Sequence, residues 1–265
     1  LSQNISKLSI KEALKIIHNP SVSDDVLKIK QFEHPAQKRL IIEELITNLI
    51  GVKISTKKID KMKAKVINNN KEIFNSFYKA LPFSLTNAQE RVIKEIQDDM
   101  NKSRPMRRLV QGDVGSGKTV VAAGAMLTCA KNNLQSVLLC PTEVLAEQHF
   151  KNFSIWFASE NINIEILTGK TKKKDWERID YDLRSGKIKI LIGTHSVFQK
   201  RVSMKNLSLV VVDEQQRFGV KQRFEMLQKS KEAVLPHQLF MTATPIPRTL
   251  AMTIFADLSV SKIDE

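Results

Sequence analysis

One stretch limits the folds open to this chain more than any other. Leu109, Val110 and Gln111 run into a glycine-rich turn, Gly112, Asp113, Val114, Gly115, Ser116 and Gly117. Lys118 and Thr119 follow, and Val120, Val121, Ala122, Ala123, Gly124 and Ala125 then read as the start of a buried helix. Gly112, Gly117, Lys118 and Thr119 satisfy G-x-x-x-x-G-K-[ST], the spacing of a phosphate-binding loop. The glycines let backbone N–H groups turn inward around a phosphate, where a Cβ would obstruct the approach. The helix that follows points its positive end at the same place. Lys118 is placed to reach β- and γ-phosphates, and the Thr119 hydroxyl to ligate Mg²⁺.

Downstream, apolar strands alternate with helices, the pattern of an α/β fold with a parallel sheet. Strands are expected at residues 136–140, 162–167, 188–192, 207–212 and 238–242, and helices at 144–157 and 171–185. The strands are mostly continuous apolar runs, as suits a sheet covered on both faces. Ligands of such sheets sit outside the carboxyl ends of the strands. Pro141 to Glu143, Thr168 with Gly169, Gly193 to His195, Asp213 with Glu214, and Thr242 to Thr244 all fall at those ends. Asp213 and Glu214 by themselves are an ordinary solvated strand end. In one sheet with the phosphate loop they suit phosphoryl transfer to water: an Asp to hold the metal shell and a Glu to orient and deprotonate the water.

The N-terminal part is different. Ser9 to Glu12 has the form of a capping box, so a short helix is expected to follow and to stop at Asn19 before Pro20. A second helix is expected from Pro35, with Leu40, Ile41, Leu45, Leu49 and Ile50 as its apolar stripe and Gly51 as its stop. Residues 52–67 read as an amphipathic helix or a mobile stretch, and Ile73, Phe74, Phe77 and Leu81 mark another helix. Residues 1–80 are thus expected to form a helical extension, and residues 81–265 the α/β domain. Thr86 and Gln89 form a second capping box, and the Gln89 amide can also donate to and accept from an adenine edge.

Composition narrows the function classes. The formal charge of +14, half of it in residues 1–80, suits an anionic partner such as nucleic acid and equally suits a lysine-rich surface. No apolar run is long enough for a membrane span. Cys129 and Cys140 lack metal or redox spacing and read as core residues in a reducing cytoplasm. The opening Leu1, Ser2, Gln3, Asn4 has no initiator Met and no signal pattern, which reads as a cut fragment.

Taken together, the motifs resemble those of superfamily-2 helicases, and among them the RecG helicases. The stretch from Leu81, Pro82 and Phe83 to Gln89 is similar to the adenine-reading Q motif, and Gly112 to Thr119 to motif I. Pro141 to His149 resembles motif Ia, and Gly193, Thr194 and His195 motif Ib. Asp213, Glu214, Gln215, Gln216 and Arg217 resemble motif II, and Met241 to Ala251 motif III. Leu8 to Leu14 and His34 to Leu40 resemble the helical linker ahead of the RecG motor. The resemblance implies a RecA-like P-loop domain, residues 81–265, behind a helical linker, residues 1–80. It implies ATP and Mg²⁺ as cofactors, held by Phe83, Gln89 and residues 112–119, with Thr119 and Asp213 on the metal and Lys118, Asp213 and Glu214 catalytic. Thr142 and Thr194, with Pro141, Thr168, Gly169 and His195 beside them, would meet DNA phosphates. Gln216, Arg217, Thr242 and Thr244 would relay nucleotide state.

Two departures stand out. Gln216 replaces the histidine usual at that place, which keeps two-way hydrogen bonding and loses the titratable ring. The chain also stops where a second motor lobe would begin, so that lobe and the N-terminal wedge domain are expected to be absent. The implied parent is a monomeric cytoplasmic ATPase that remodels branched DNA. A transcription-repair coupling translocase, a metabolite kinase and a DNA-binding module with a structural nucleotide site remain as alternatives.

Overall fold

The computed structural model describes residues 8–21, 24–69, 73–194, 197, 202–214, 234–244 and 258–265. They fall into two units, one drawn from residues up to Lys57 and the other from Lys58 onward.

The first unit is helical. Helix α1 (Ile10–His18) starts at Ser9, whose hydroxyl accepts from the Glu12 N–H while the Glu12 carboxylate accepts from the Ser9 N–H. It ends at Asn19, ahead of Pro20, as the sequence suggests. Helix α2 (Val26–Lys30), capped by Asp25, is an addition to the sequence reading; five residues are too few to show a stripe. Helix α3 (Pro35–Asp60) corrects one expectation, because it runs through Gly51. Gly51 does not take the positive φ of a helix-ending glycine. Within a helix it costs about 1 kcal/mol relative to alanine, too little to stop one that meets no turn cluster until Asn68. In the stripe of α3, Ile41, Leu45, Leu49 and Ile50 are exposed.

The second unit is a seven-stranded parallel sheet with helices on both faces. Its strands are β1 (Arg107–Gln111), β2 (Gln135–Leu139), β3 (Ile164–Leu167), β4 (Ile190–Gly193), β5 (Leu207–Val212), β6 (His237–Thr242) and β7 (Ser259–Lys262), in the order β3-β4-β2-β5-β6-β1-β7. Its helices are α4 (Ile73–Ala80), α5 (Asn87–Met100), α6 (Lys118–Lys131), α7 (Glu143–Trp156) and α8 (Lys173–Ser185). Side chains of a strand alternate between faces, and the two cores follow that rule. Val110, Leu138, Ile192, Val211 and Met241 pack under α4 to α7. Leu109, Val137, Leu139, Val210 and Phe240 pack with Ile179 and Leu183 of α8. Helix α6 is buried from Val120 to Ala130, which explains an apolar sequence with no polar face. Cys129 and Cys140 are buried free thiols, as expected, and burial pushes both above the ordinary thiol range.

The boundary between the units lies at residue 57, earlier than the break the sequence suggests at residue 80. Phe74, Phe77 and Leu81 belong to the core of the sheet unit, and the Phe77 ring lies 5.5 Å from that of Phe157. Burying such side chains stabilises by roughly 1.5–3 kcal/mol each, so α4 packs with the sheet. Residues 63–67 are fastened beneath the same sheet: Ala64 N–H donates to Ser103 O, and Ile67 N–H to Met100 O. His237 closes this contact, its Nδ1 accepting from Met106 N–H and its Nε2 lying 2.8 Å from Lys65 O. Strand β7, absent from the sequence reading, pairs with the outer side of β1. Three of its four residues are exposed, so it carries no apolar run to reveal it.

Candidate functional site

The carboxyl ends of β5, β6 and β1 lie side by side, and three of the sequence motifs meet there. The loop of residues 112–117 leaves β1 and enters α6 through Gly117, which has φ 83° and offers no side-chain cap. A Cβ on Gly117 would lie 2.3 Å from Gln89 Nε2, so the amide approaches the loop as closely as a glycine allows. Lys118 folds back on the loop, its ammonium donating to Gly112 O and Asp113 O at 2.7 Å each. Partial burial holds that ammonium below the ordinary lysine range, with Glu214, Asp213 and Asp113 opposing the shift. Val114, at the tip of the loop, is 91% exposed.

Across the sheet, Asp213 follows β5, and its N–H donates to Leu139 O at 2.9 Å. Its carboxylate lies 3.0 Å from His149 Nε2. Glu214 takes φ 52°, a left-handed conformation that few non-glycine residues adopt. Thr242 ends β6; its hydroxyl lies 2.8 Å from that of Thr244 and accepts from the Thr244 N–H. Gln111 Nε2 donates to Thr244 O, and Gly112 N–H to Thr242 O, so the β6 end is tied to the phosphate loop. Gln89 ties in the start of α5. Its Oε1 accepts from Thr86 N–H in the capping box, and its Nε2 donates to Ser116 O at 3.0 Å. Phe83 is exposed beside Trp156, with ring centroids 6.3 Å apart.

The residues fit a nucleotide phosphate chain. The uncapped start of α6, the glycine turn and the buried Ser116 Oγ, which has no hydrogen-bond partner among the described residues, all leave donors for an anion. Among the described residues no group of three or more His, Cys, Asp or Glu could hold a metal alone. Thr119 at the start of α6 and Asp213 after β5 offer oxygen donors, the ligand type of which Mg²⁺ takes one or two while it keeps waters and shares phosphate oxygens.

The ends of β2, β4 and β3 carry the other predicted residues. Thr142 caps α7, accepting from Leu145 N–H. Thr168 sits in a turn where its N–H donates to Thr171 Oγ1 and its own hydroxyl accepts from Lys170 N–H. Gly169 N–H and the Lys170 ammonium both reach Glu143 at 3.0 Å, and that carboxylate raises the Lys170 pKa. Thr194 N–H donates to Leu167 O, a close crossing of β3 and β4 in which a Cβ on Gly193 would lie 2.3 Å from the same oxygen. Pro141 lies just before the Thr142 cap, half-buried. His195, Gln216 and Arg217 lie outside the described residues. Two residues that the sequence reading included in the motif Ia stretch without a role matter here: Glu143, which holds the Gly169 turn, and His149, which holds Asp213. The signal for His149 was a polar residue on the buried face of α7, with Ala146, Phe153 and Trp156.

The sequence profile of the DEAD/DEAH box helicases matches residues 86–253. The chain belongs to that family. The ATP-dependent DNA helicase RecG of Haemophilus influenzae is 45% identical to this helicase chain over 263 residues, covering 99% of it and 38% of the relative. The RecG protein of Escherichia coli K12 is 45% identical over 266 residues, covering all of this chain and 38% of the relative. The chain therefore spans well under half the length of these relatives. A solved structure of RecG bound to a three-way DNA junction superposes with a TM-score of 0.75 at 33% identity, covering 97% of this chain and 38% of that one. The helicase MrfA bound to DNA shares the fold, with a TM-score of 0.57 at 17% identity over 77% of this chain. No helix among the described residues is long and apolar enough to cross a membrane.

Proposed function

We propose that this chain is the ATP-binding motor lobe of a RecG-type DNA helicase, residues 81–265, together with the helical segment that precedes it, residues 1–80. In this reading the last part of that segment packs on the lobe. The whole protein would be a cytoplasmic, monomeric DNA-dependent ATPase that remodels branched DNA. The observation that carries the reading is the convergence of residues 112–119, Asp213 with Glu214, and Thr242 with Thr244 on three adjacent strand ends. Similarity over nearly the whole chain to RecG proteins, one of them solved on a three-way junction, supports branched DNA as the substrate.

When bound, Mg·ATP supplies an electrophilic γ-phosphate and a cation that spreads its charge. The chain's own residues do the rest. Lys118 exchanges the Gly112 and Asp113 carbonyls for β- and γ-phosphate oxygens. The Thr119 hydroxyl and the Asp213 carboxylate hold the metal shell. Glu214 orients the attacking water and takes its proton. The backbone of residues 112–117 wraps the phosphates, and Phe83 flanks the base. Gln89 reads adenine by turning its amide from Ser116 O and Thr86 N–H to the base edge, which connects base recognition to the loop. Thr242 and Thr244, with Gln216 and Arg217, carry nucleotide state across the sheet. Pro141, Thr142, Thr168, Gly169, Thr194 and His195 meet DNA phosphates.

The test is steady-state hydrolysis by the complete protein with no DNA, linear duplex and forked DNA. Stimulation greatest on forked DNA is expected. Turnover insensitive to DNA, or raised instead by a small phosphate acceptor, would overturn the reading. Gln89→Ala checks the base contact: the preference for ATP over GTP should fall about tenfold, the scale of one lost hydrogen bond.

A further inference from the structure

Helix α7 buries one polar side chain on its apolar face, His149, with Ala146 and Phe153 as neighbours on that face. Its ring lies 6.3 Å from that of Phe153, tilted by 53°. On its other side Nε2 approaches Asp213 Oδ2 to 3.0 Å, with the two side chains only 7% and 12% exposed. Nδ1 is buried and has no hydrogen-bond partner among the described residues. These contacts decide the tautomer. A carboxylate only accepts, so the proton of a neutral imidazole belongs on Nε2, donating to Oδ2. On Nδ1 it would be a buried donor without an acceptor, which costs about 1–3 kcal/mol.

The carboxylate needs this contact. Its backbone is fixed by the bond from Asp213 N–H to Leu139 O, but rotation about the terminal torsion of an aspartate is soft and roughly two-fold. A hydrogen bond to Oδ2 selects one rotation and leaves Oδ1 uncommitted to it. Mg²⁺ demands near-ideal octahedral geometry and keeps several waters, so a carboxylate that serves its shell must be aimed in advance. Resting on the metal and nucleotide reading above, we propose that His149 is a positioning residue for Asp213: its Nε2–H holds one carboxylate oxygen so that the other faces the Mg²⁺ of bound Mg·ATP. It touches neither nucleotide nor metal and acts through Asp213. The same helix begins at Thr142 and Glu143, seven and six residues earlier, so one rigid element carries both the DNA-side cap and the partner of the metal carboxylate.

The test measures binding of a fluorescent ATP analogue to the complete protein during a MgCl₂ titration, and in EDTA. His149→Leu should raise the Mg²⁺ concentration for half-maximal tightening about tenfold, the lower end of what loss of an outer hydrogen-bond partner costs a metal site. Its affinity for the nucleotide in EDTA should not change. His149→Gln, whose amide can donate from nearly the same point, should recover most of the Mg²⁺ dependence. Wild-type Mg²⁺ dependence in His149→Leu would overturn the proposal. So would equal losses in the Leu and Gln variants, since that marks a packing role alone. Nitrogen NMR of the unsubstituted protein keeps the idea testable if either variant fails to fold. The His149 ring should be the Nε2–H tautomer, and its resonances should move on adding Mg²⁺ to the nucleotide complex. An Nδ1–H ring, or one indifferent to Mg²⁺, overturns the proposal. If the unsubstituted protein binds nucleotide with no Mg²⁺ dependence, the metal reading itself fails and takes this proposal with it.

Discussion

The two halves of the carboxyl edge are wired differently. At the ends of β1, β5 and β6, hydrogen bonds run between motifs far apart in sequence: Gln89 to Ser116, Gln111 to Thr244, Gly112 to Thr242, and His149 to Asp213. At the ends of β2, β3 and β4, the threonine side-chain bonds close within a single turn: Thr142 with Leu145, Thr168 with Thr171, Lys170 with Thr168. Glu143 adds longer links to Gly169 and Lys170, and backbone bonds join Thr194 to Leu167 and Asp213 to Leu139. A mesh between strands moves as a unit, so a change at one corner reaches the others. Separately capped loops keep a perturbation where it falls. The first arrangement suits a site that reports nucleotide state, and the second a surface of repeated, similar contacts to a polyanion.

The largest expected effect tests the meshed half. Lys118→Ala in the complete protein should lower hydrolysis by roughly 10²–10³, the scale for removing one preorganised donor from a transition state, and should weaken nucleotide binding. Fold and affinity for DNA in the absence of nucleotide should survive, because no bond described here runs from Lys118 to the β2, β3 and β4 ends. Steady-state ATPase and fluorescence anisotropy on a DNA fork measure the two sides. Normal turnover would remove Lys118 from the site. A parallel collapse of nucleotide-free DNA binding would mean that the two halves are not separately wired.

Why the sequence reveals some of this and conceals the rest is physical. The phosphate loop is legible because backbone geometry and charge constrain consecutive residues, so four fixed positions carry the whole device. The strands are legible because both faces of the sheet are covered, which forces runs such as Leu209 to Val212. Both capping boxes are legible because the partners lie three residues apart. Strand β7 is hidden because an edge strand with one buried side chain needs no apolar run. The end of α3 is hidden because Gly51 is tolerated inside a helix once neighbouring turns hold it. The unit boundary is hidden because α4 has the same amphipathic pattern whether it joins a linker or the sheet. His149 is hidden because its meaning lies in a contact with a residue 64 positions away, and no local pattern contains that.

An intermediate effect comes from the opposite end of the sheet, which lies beneath both halves and serves as a control for them. Burial holds the His237 ring below the ordinary histidine pKa, against the bond to Lys65 O and the charge of Asp99. Because Nδ1 accepts from Met106 N–H, the ring stays neutral while folded. The unfolded chain therefore binds a proton first as pH falls. Stability from this group is complete above the unfolded pKa, about 6.5, and is lost as pH drops from there toward the lower folded value. The slope for one group is at most about 1.4 kcal/mol per pH unit. Urea unfolding between pH 7.5 and 5 should show it, and His237→Gln should flatten the difference. Nucleotide and DNA affinities measured on the fully folded protein should be unaffected by the substitution. Equal slopes in both proteins would mean that His237 does not titrate differently on folding.

The smallest effect examines the local half. Thr142 has a structural duty, capping α7 at Leu145 N–H, and a proposed one, meeting a DNA phosphate. Thr142→Ala removes the cap and should cost about 1 kcal/mol of stability. If its hydroxyl also meets DNA, affinity for a fork should fall about fivefold, the equivalent of one ordinary hydrogen bond. Nucleotide affinity should stay unchanged, because the cap bond closes within one turn. Thr142→Ser separates the duties from mere side-chain bulk: it restores cap and hydroxyl together while leaving out the methyl. Thr142→Asp separates them from each other. Aspartate caps at least as well as threonine and favours the positive helix end, so stability should recover, whereas its charge beside a phosphate should weaken DNA binding below that of the alanine variant. A stable Thr142→Asp protein with wild-type DNA affinity would leave Thr142 as a cap alone. A change in nucleotide affinity in any of the three would show that α7 transmits what happens at its first turn, and the contrast between a meshed half and a local half would have to be given up.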